Sequence, residues 1–182
     1  MISPFYDKPD VLKQIKNVLK TEGIVQLQQI LLPSEFLKYK QVLAGLDFYH
    51  DYCPHLHSQQ TPLVQHSEFR KLAKLEIIES LIGKKTLKSV RLIGFRHKDY
   101  LLISDQSHKK QSHVILDFTE EWDQSFGGYH VYKEQDGNAI MPAIGANILT
   151  VVNVPADMHF FVQYANHYAE HHQRDLVWMI FE

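Results

Sequence analysis

The apolar residues of this chain change their period near its midpoint. In the first half they recur three and four positions apart, the spacing that lines one face of a helix. Pro9 and Asp10 open such a segment, with Val11, Leu12, Ile15, Val18 and Leu19 on one stripe and Gly23 to stop it. Ser34 is placed to cap a second helix carrying Phe36, Leu37 and Val42 toward Gly45, and Ser67 a third with Phe69, Leu72, Leu75, Ile78 and Leu81 toward Gly83. Between these two, Asp47 to Gln65 is long, aromatic and polar, and reads as a loop. From Ser89 onward the pattern becomes short apolar runs: Val90 to Phe95, Tyr100 to Ile103, His113 to Phe118, Tyr129 to Tyr132, Ile148 to Val154, His159 to Gln163 and Leu176 to Phe181. Gly127-Gly128, Asp136-Gly137-Asn138 and Pro155 separate them as turns. Such runs predict an antiparallel sandwich or barrel, and a double-stranded β-helix, a jelly-roll variant, satisfies their number. The expected class is α+β, mainly β, with the N-terminal helices packed on one sheet.

With 182 residues, 45% of them hydrophobic, the chain can bury one core, and no interior stretch has the composition of a linker. One domain over 1–182 is expected, helical to about residue 88 and built of strands from 89. A formal charge of -2 offers no general attraction to nucleic acid or to an anionic membrane, and Lys84-Lys85 and Lys109-Lys110 are too short to form a patch. The longest apolar runs span only a few residues and the N-terminus lacks a basic-then-apolar signal, so no membrane segment is expected. Cys53 is the only cysteine, which excludes an intramolecular disulfide and fits a reducing compartment, the cytoplasm. Most of the twelve histidines lack ligand spacing; His50, His55, His57, His171 and His172 fall in polar segments suited to solvated rings.

The stretch Asp99-Tyr100-Leu101-Leu102-Ile103-Ser104-Asp105-Gln106, followed by a β-like run from His113 to Phe118 and by Trp122-Asp123-Gln124-Ser125-Phe126-Gly127-Gly128, is informative as a whole. It resembles the core of an Fe(II)/2-oxoglutarate oxygenase of the prolyl-hydroxylase kind, closest to the ribosomal-protein prolyl-hydroxylase branch. The resemblance runs over essentially the full chain. It implies a metal-binding His-x-Asp pair after Asp-Tyr-Leu-Leu, where this sequence has Ser104 and Gln106. It implies a distal metal histidine, matched by His159, and an arginine for the far carboxylate of 2-oxoglutarate, matched by Arg174. It also implies a tyrosine five residues before Trp122, where Asp117 stands instead. In the same comparison Asp47 to Gln65 becomes the rim of a substrate cleft. His97-x-Asp99 matches the ligand pattern by itself, but falls in the turn before the strand and is set aside as a decoy.

A non-haem iron site needs two imidazoles and a carboxylate on one side, and neither a serine hydroxyl nor a carboxamide replaces them. Asp117 has two fates: it repels a dianionic cosubstrate, or it takes Arg174 as a salt-bridge partner. A non-standard set is also conceivable, because His113, Ile115 and Asp117 share one face of a strand and the first and last, with His159, have a metal-binding inventory. His113 and Asp117 would then lie roughly 13 Å apart along the backbone, at about 3.3 Å per residue. The expected function is that of an oxygenase-like protein without catalysis, needing no cofactor and binding a protein partner or a small molecule. The alternative is an active dioxygenase that uses Fe(II) and 2-oxoglutarate to hydroxylate a prolyl residue in a protein. A cupin-like jelly roll that binds a metal or a sugar explains the strands but not the Trp122 to Gly128 motif.

Overall fold

The computed structural model describes residues 1–63, 67–102, 110–134, 137 and 139–182. Its helices are α1 (Pro9–Glu22), α2 (Pro33–Ala44), α3 (Ser67–Arg70) and α4 (Glu76–Ile82). Its strands are β1 (Ile24–Gln28), β2 (Phe48–Cys53), β3 (His57–Pro62), β4 (Leu87–Phe95), β5 (Tyr100–Leu101), β6 (Gln111–Asp117), β7 (His130–Lys133), β8 (Ala139–Ile140), β9 (Ile148–Val154), β10 (His159–Val162) and β11 (Arg174–Phe181). Among the described residues no helix is long and apolar enough to cross a membrane.

The strands pair antiparallel throughout and curl into two facing layers. The larger is β1-β9-β6-β11-β4 and the smaller β5-β10-β7-β8. β3 joins them, through Gln60 opposite Gly94 of β4 and through His57 and Ser58 opposite Leu101 and Tyr100 of β5. This is the double-stranded β-helix expected from the strand pattern. Alternation along each strand divides the side chains of the larger layer between two cores. Val114, Leu116, Leu149, Val151, Val177 and Met179 face the helices and pack with Leu19, Leu43, Leu72 and Ile78. Ile93, Phe95, Ile115, Val152, Leu176 and Trp178 face the smaller layer and meet Tyr132, Phe160 and Val162. The helices thus brace one sheet and leave the space between the layers to β-strand side chains.

Local elements depart from the sequence pattern in four places, each for a physical reason. Gly23 closes α1 as expected, at φ 72 with its N–H on the Leu19 carbonyl, but the chain enters β1 directly because Ile24–Gln28 pairs with β9. Ser34 is not a cap. Pro33 begins α2, and a proline in the first turn has no N–H to satisfy. The third helix is broken into α3, a 3-10 turn over Lys71–Lys74 and α4. Its apolar residues recur every third position, a stripe that would wind about 60° per step around a continuous α-helix but stays on one face when a 3-10 turn intervenes. The loop expected over Asp47 to Gln65 is instead the β2–β3 hairpin, whose turn sits at Pro54 to Leu56.

Candidate functional site

Arg174 opens β11 and Asp117 closes β6, adjacent antiparallel strands in which Asp117 faces Leu176. Arg174 lies two residues from that pair and therefore on the same inner face. Both are almost fully buried, and the guanidinium reaches Asp117 Oδ2 twice, from Nε at 3.0 Å and from Nη2 at 2.8 Å. Nη1 donates to the Gly128 carbonyl at 2.8 Å and to His130 Nδ1 at 2.9 Å. The other carboxylate oxygen, Oδ1, accepts the Thr119 N–H at 2.9 Å. Of the two fates left open for Asp117, the salt bridge is the one observed.

The Trp122 to Gly128 motif builds one wall of this site. The Trp122 indole N–H donates to the Gly127 carbonyl at 2.9 Å, and the rings of Trp122 and Phe126 pack edge to face. Gly127 and Gly128 both have positive φ, 74 and 71. A Cβ on Gly127 would collide with the Tyr164 carbonyl, and one on Gly128 would come within 2.8 Å of the Trp122 ring. Only glycines allow the chain to press this closely on Tyr164 and Trp122 while turning the Gly128 carbonyl to Arg174.

Deeper in the barrel the polar groups are His113, His130 and Tyr132. A guanidinium has no acceptor, so His130 Nδ1 is the acceptor and neutral His130 carries its proton on Nε2. That atom and Trp178 Nε1 are buried without a hydrogen-bond partner, the two rings standing edge to face at 5.3 Å. Burial, with the charges of Arg174 and His113, holds His130 well below the ordinary imidazole range. Burial alone lowers His113 to about 3. His113 Nδ1 meets the Tyr132 hydroxyl at 3.3 Å, and its ring packs edge to face on Phe160 at 4.6 Å and Trp178 at 5.2 Å. The resemblance assigns no role to His130 and Tyr132, although the alternation His130-Val131-Tyr132 after the paired glycines marks two residues on one face of a strand.

Ser104 and Gln106 lie outside the described residues. For His159 the structure corrects the direction. Phe160 and Val162 are the inner residues of β10, so alternation turns His159 and Phe161 to the opposite face. It is Phe160 that occupies the barrel where the resemblance implies an imidazole. The non-standard set is likewise not assembled. His113 and Asp117 share the inner face as anticipated, but Asp117 is taken by Arg174 and His159 points away. Among the described residues no three of His, Cys, Asp or Glu come together to hold a metal. His97-x-Asp99 forms a turn. Asp99 is buried and accepts from Ser58 Oγ at 2.6 Å, Gln60 Nε2 at 3.0 Å and the Arg96 N–H at 2.8 Å. His50 donates in turn to Ser58 at 2.7 Å, which ties the hairpin to that turn.

Of the residues the resemblance assigns to iron and 2-oxoglutarate, the two that are described, His159 and Arg174, do not fit those roles as placed: His159 lies on the outer face of β10 and Arg174 is already engaged. The guanidinium available for a carboxylate is occupied by Asp117, Gly128 and His130, and the Trp178 ring packs on His130.

No protein-family model and no curated protein matches the sequence. Solved structures do match in fold. An oxidoreductase of the 2OG-Fe(II) oxygenase family from Burkholderia pseudomallei aligns at TM-score 0.69 and 13% identity, over 93% of this chain and 90% of that one. A prolyl hydroxylase from Trichoplax adhaerens, in complex with a peptide of the hypoxia inducible factor oxygen degradation domain, aligns at 0.69 and 12% over 98% and 91%. A Pseudomonas putida prolyl-4-hydroxylase aligns at 0.62 and 14% over 94% and 98%. The chain has the fold of the 2-oxoglutarate/Fe(II) oxygenases, prolyl hydroxylases among them.

Proposed function

We propose that this chain is a catalytically degenerate oxygenase-fold protein that acts in the cytoplasm as a binding or regulatory module for a protein or a small molecule. The observation that carries the reading is the buried pair of Arg174 and Asp117. An arginine on the inner face at the start of the last strand can grip a carboxylate with two parallel N–H groups. Here a side chain of the same molecule receives that grip at 2.8 and 3.0 Å. A cosubstrate carboxylate would have to displace Asp117 and leave it buried without its partner, an outcome that costs roughly 3–5 kcal/mol. Phe160 in the barrel and the replacement of the His-x-Asp pair by Ser104 and Gln106 support the same conclusion.

The rival reading, an active dioxygenase that hydroxylates a protein, draws on fold neighbours that are 2-oxoglutarate-dependent enzymes. Anaerobic titration with Fe(II) followed by 2-oxoglutarate separates the two. No visible charge-transfer band and no near-stoichiometric iron are expected for the wild type. A band that is lost in Arg174→Met would establish the dioxygenase reading instead.

A further inference from the structure

At the end of the barrel away from Arg174, a cleft of about 440 Å³ opens between the end of α1 and the edges of both layers. β6 runs its full length between the two places, roughly 20 Å at about 3.3 Å per residue. Lys20, Lys85 and Lys110 line the cleft together with Asn153, although they come from a helix, the segment before β4, the start of β6 and the end of β9. As pairs in the sequence these lysines form no patch. The fold makes one of them.

The cluster is organised to donate. Lys85 Nζ donates to the buried Ser112 hydroxyl at 2.8 Å, and that hydroxyl passes its own proton to Asn153 Oδ1 at 3.0 Å. The chain of bonds orients the Asn153 amide so that, among the described residues, its NH₂ group has no acceptor, and leaves Lys85 two further N–H groups. Burial, and then the charge of Lys110, lowers the Lys85 pKa. Glu22 and Glu134 also line the cleft, and the carbonyls at the end of α1 add partial negative charge, so the surplus is small and local. Ile140, Pro155 and Met158 supply an apolar wall beside the lysines.

We propose that this cleft binds a small phosphomonoester, with its phosphate on Lys85, Lys110, Lys20 and the Asn153 amide and its organic part against Met158, Pro155 and Ile140. Ammonium groups are compact point charges that suit a tetrahedral oxyanion, whereas the planar fork that selects a carboxylate belongs to arginine, and the cleft has none. Its volume is in the range of small-molecule sites. The site is independent of the Arg174–Asp117 pair.

Calorimetric titration of the full chain at low ionic strength, with inorganic phosphate and with phenyl phosphate, tests the assignment. Both should bind saturably, phenyl phosphate more tightly. Lys110→Glu, at an exposed position where folding is not at stake, and Lys85→Met should each weaken binding by roughly tenfold or more, the worth of a charge-assisted hydrogen bond. Lys13→Gln, on the exposed surface of α1, should leave it unchanged. Failure of both probes to saturate, or equal affinity of Lys110→Glu and wild type, overturns the site. Equal affinity for the two probes overturns the phosphomonoester in particular.

Discussion

Asp117 does to Arg174 what a bound carboxylate would do from outside. It supplies the charge and the acceptor geometry that a buried guanidinium requires. Asp117→Ala should therefore lower stability by about 3–5 kcal/mol, because a buried cation then loses its partner. Adding Arg174→Met should recover much of that loss, since an apolar pair of similar volume is often as stable as an ion pair. Denaturant unfolding of the single and double variants checks both statements. Formate should raise the melting temperature of Asp117→Ala and not that of wild type; no difference between them would sink the idea of an internal ligand. The buried imidazoles make a second prediction at this scale. His113 titrates at about 3 in the folded chain against 6.5 when free. The unfolded chain thus binds more protons between these values, and stability falls as pH drops below about 6.5. His130 acts in the same direction. His113→Phe keeps a ring against Phe160 and Trp178 and should flatten the decline between pH 6 and 4, measured by urea unfolding on the scale of about 1.4 kcal/mol per pKa unit. The sequence makes Arg174 and Asp117 legible as partners because their spacing to Trp122 and to Phe181 follows a known pattern. It hides the direction of His159, because a one-residue change in strand register exchanges inner and outer faces while the residue types stay plausible.

Gly127 and Gly128 show how an element rather than a residue carries the site. The turn they make is short, presses on Tyr164 and Trp122, and delivers one carbonyl to Arg174. Gly127→Ala should cost at least about 1–3 kcal/mol, as a side chain forced to positive φ does, with the added collision at Tyr164. A thermal melt of this variant beside Gly45→Ala, where φ is -92 and a Cβ would meet nothing closer than 3.6 Å, gives the comparison. If Gly127→Ala melts with wild type, the turn is not the support described above. Elements with a strong period, such as α1 and β4, β6, β9 and β11, are legible in sequence because burial on one or both faces dictates every second or third residue. The hairpin of β2 and β3 is not. Phe48-Tyr49-His50-Asp51-Tyr52-Cys53 has exposed tyrosines and no clean alternation, and Ser58 and Gln60 of β3 are held by Asp99, about forty residues on in the sequence.

On the scale of the whole molecule the two layers enclose the rings of Tyr132, Phe160 and Trp178. Restoring ligands at the positions the resemblance assigns, Ser104→His with Gln106→Asp, should not suffice, because His159 faces away from the barrel. Adding Phe160→His should raise iron affinity above that of the double variant, as followed by competition with a metal-sensitive dye. Equal affinities would mean that the inner face of β10 is not where the third ligand belongs. Beyond the side chains packed between them, the layers are joined by backbone pairing through β3, whose ladder among the described residues has one pair with the larger layer and two with the smaller. The molecule is built like a book with a thin spine. Breathing of the barrel has to bend or break those three pairs, so the amide protons they hold should exchange with solvent sooner than those of the long β6–β11 and β6–β9 ladders, and their exchange rate reports how often the interior opens.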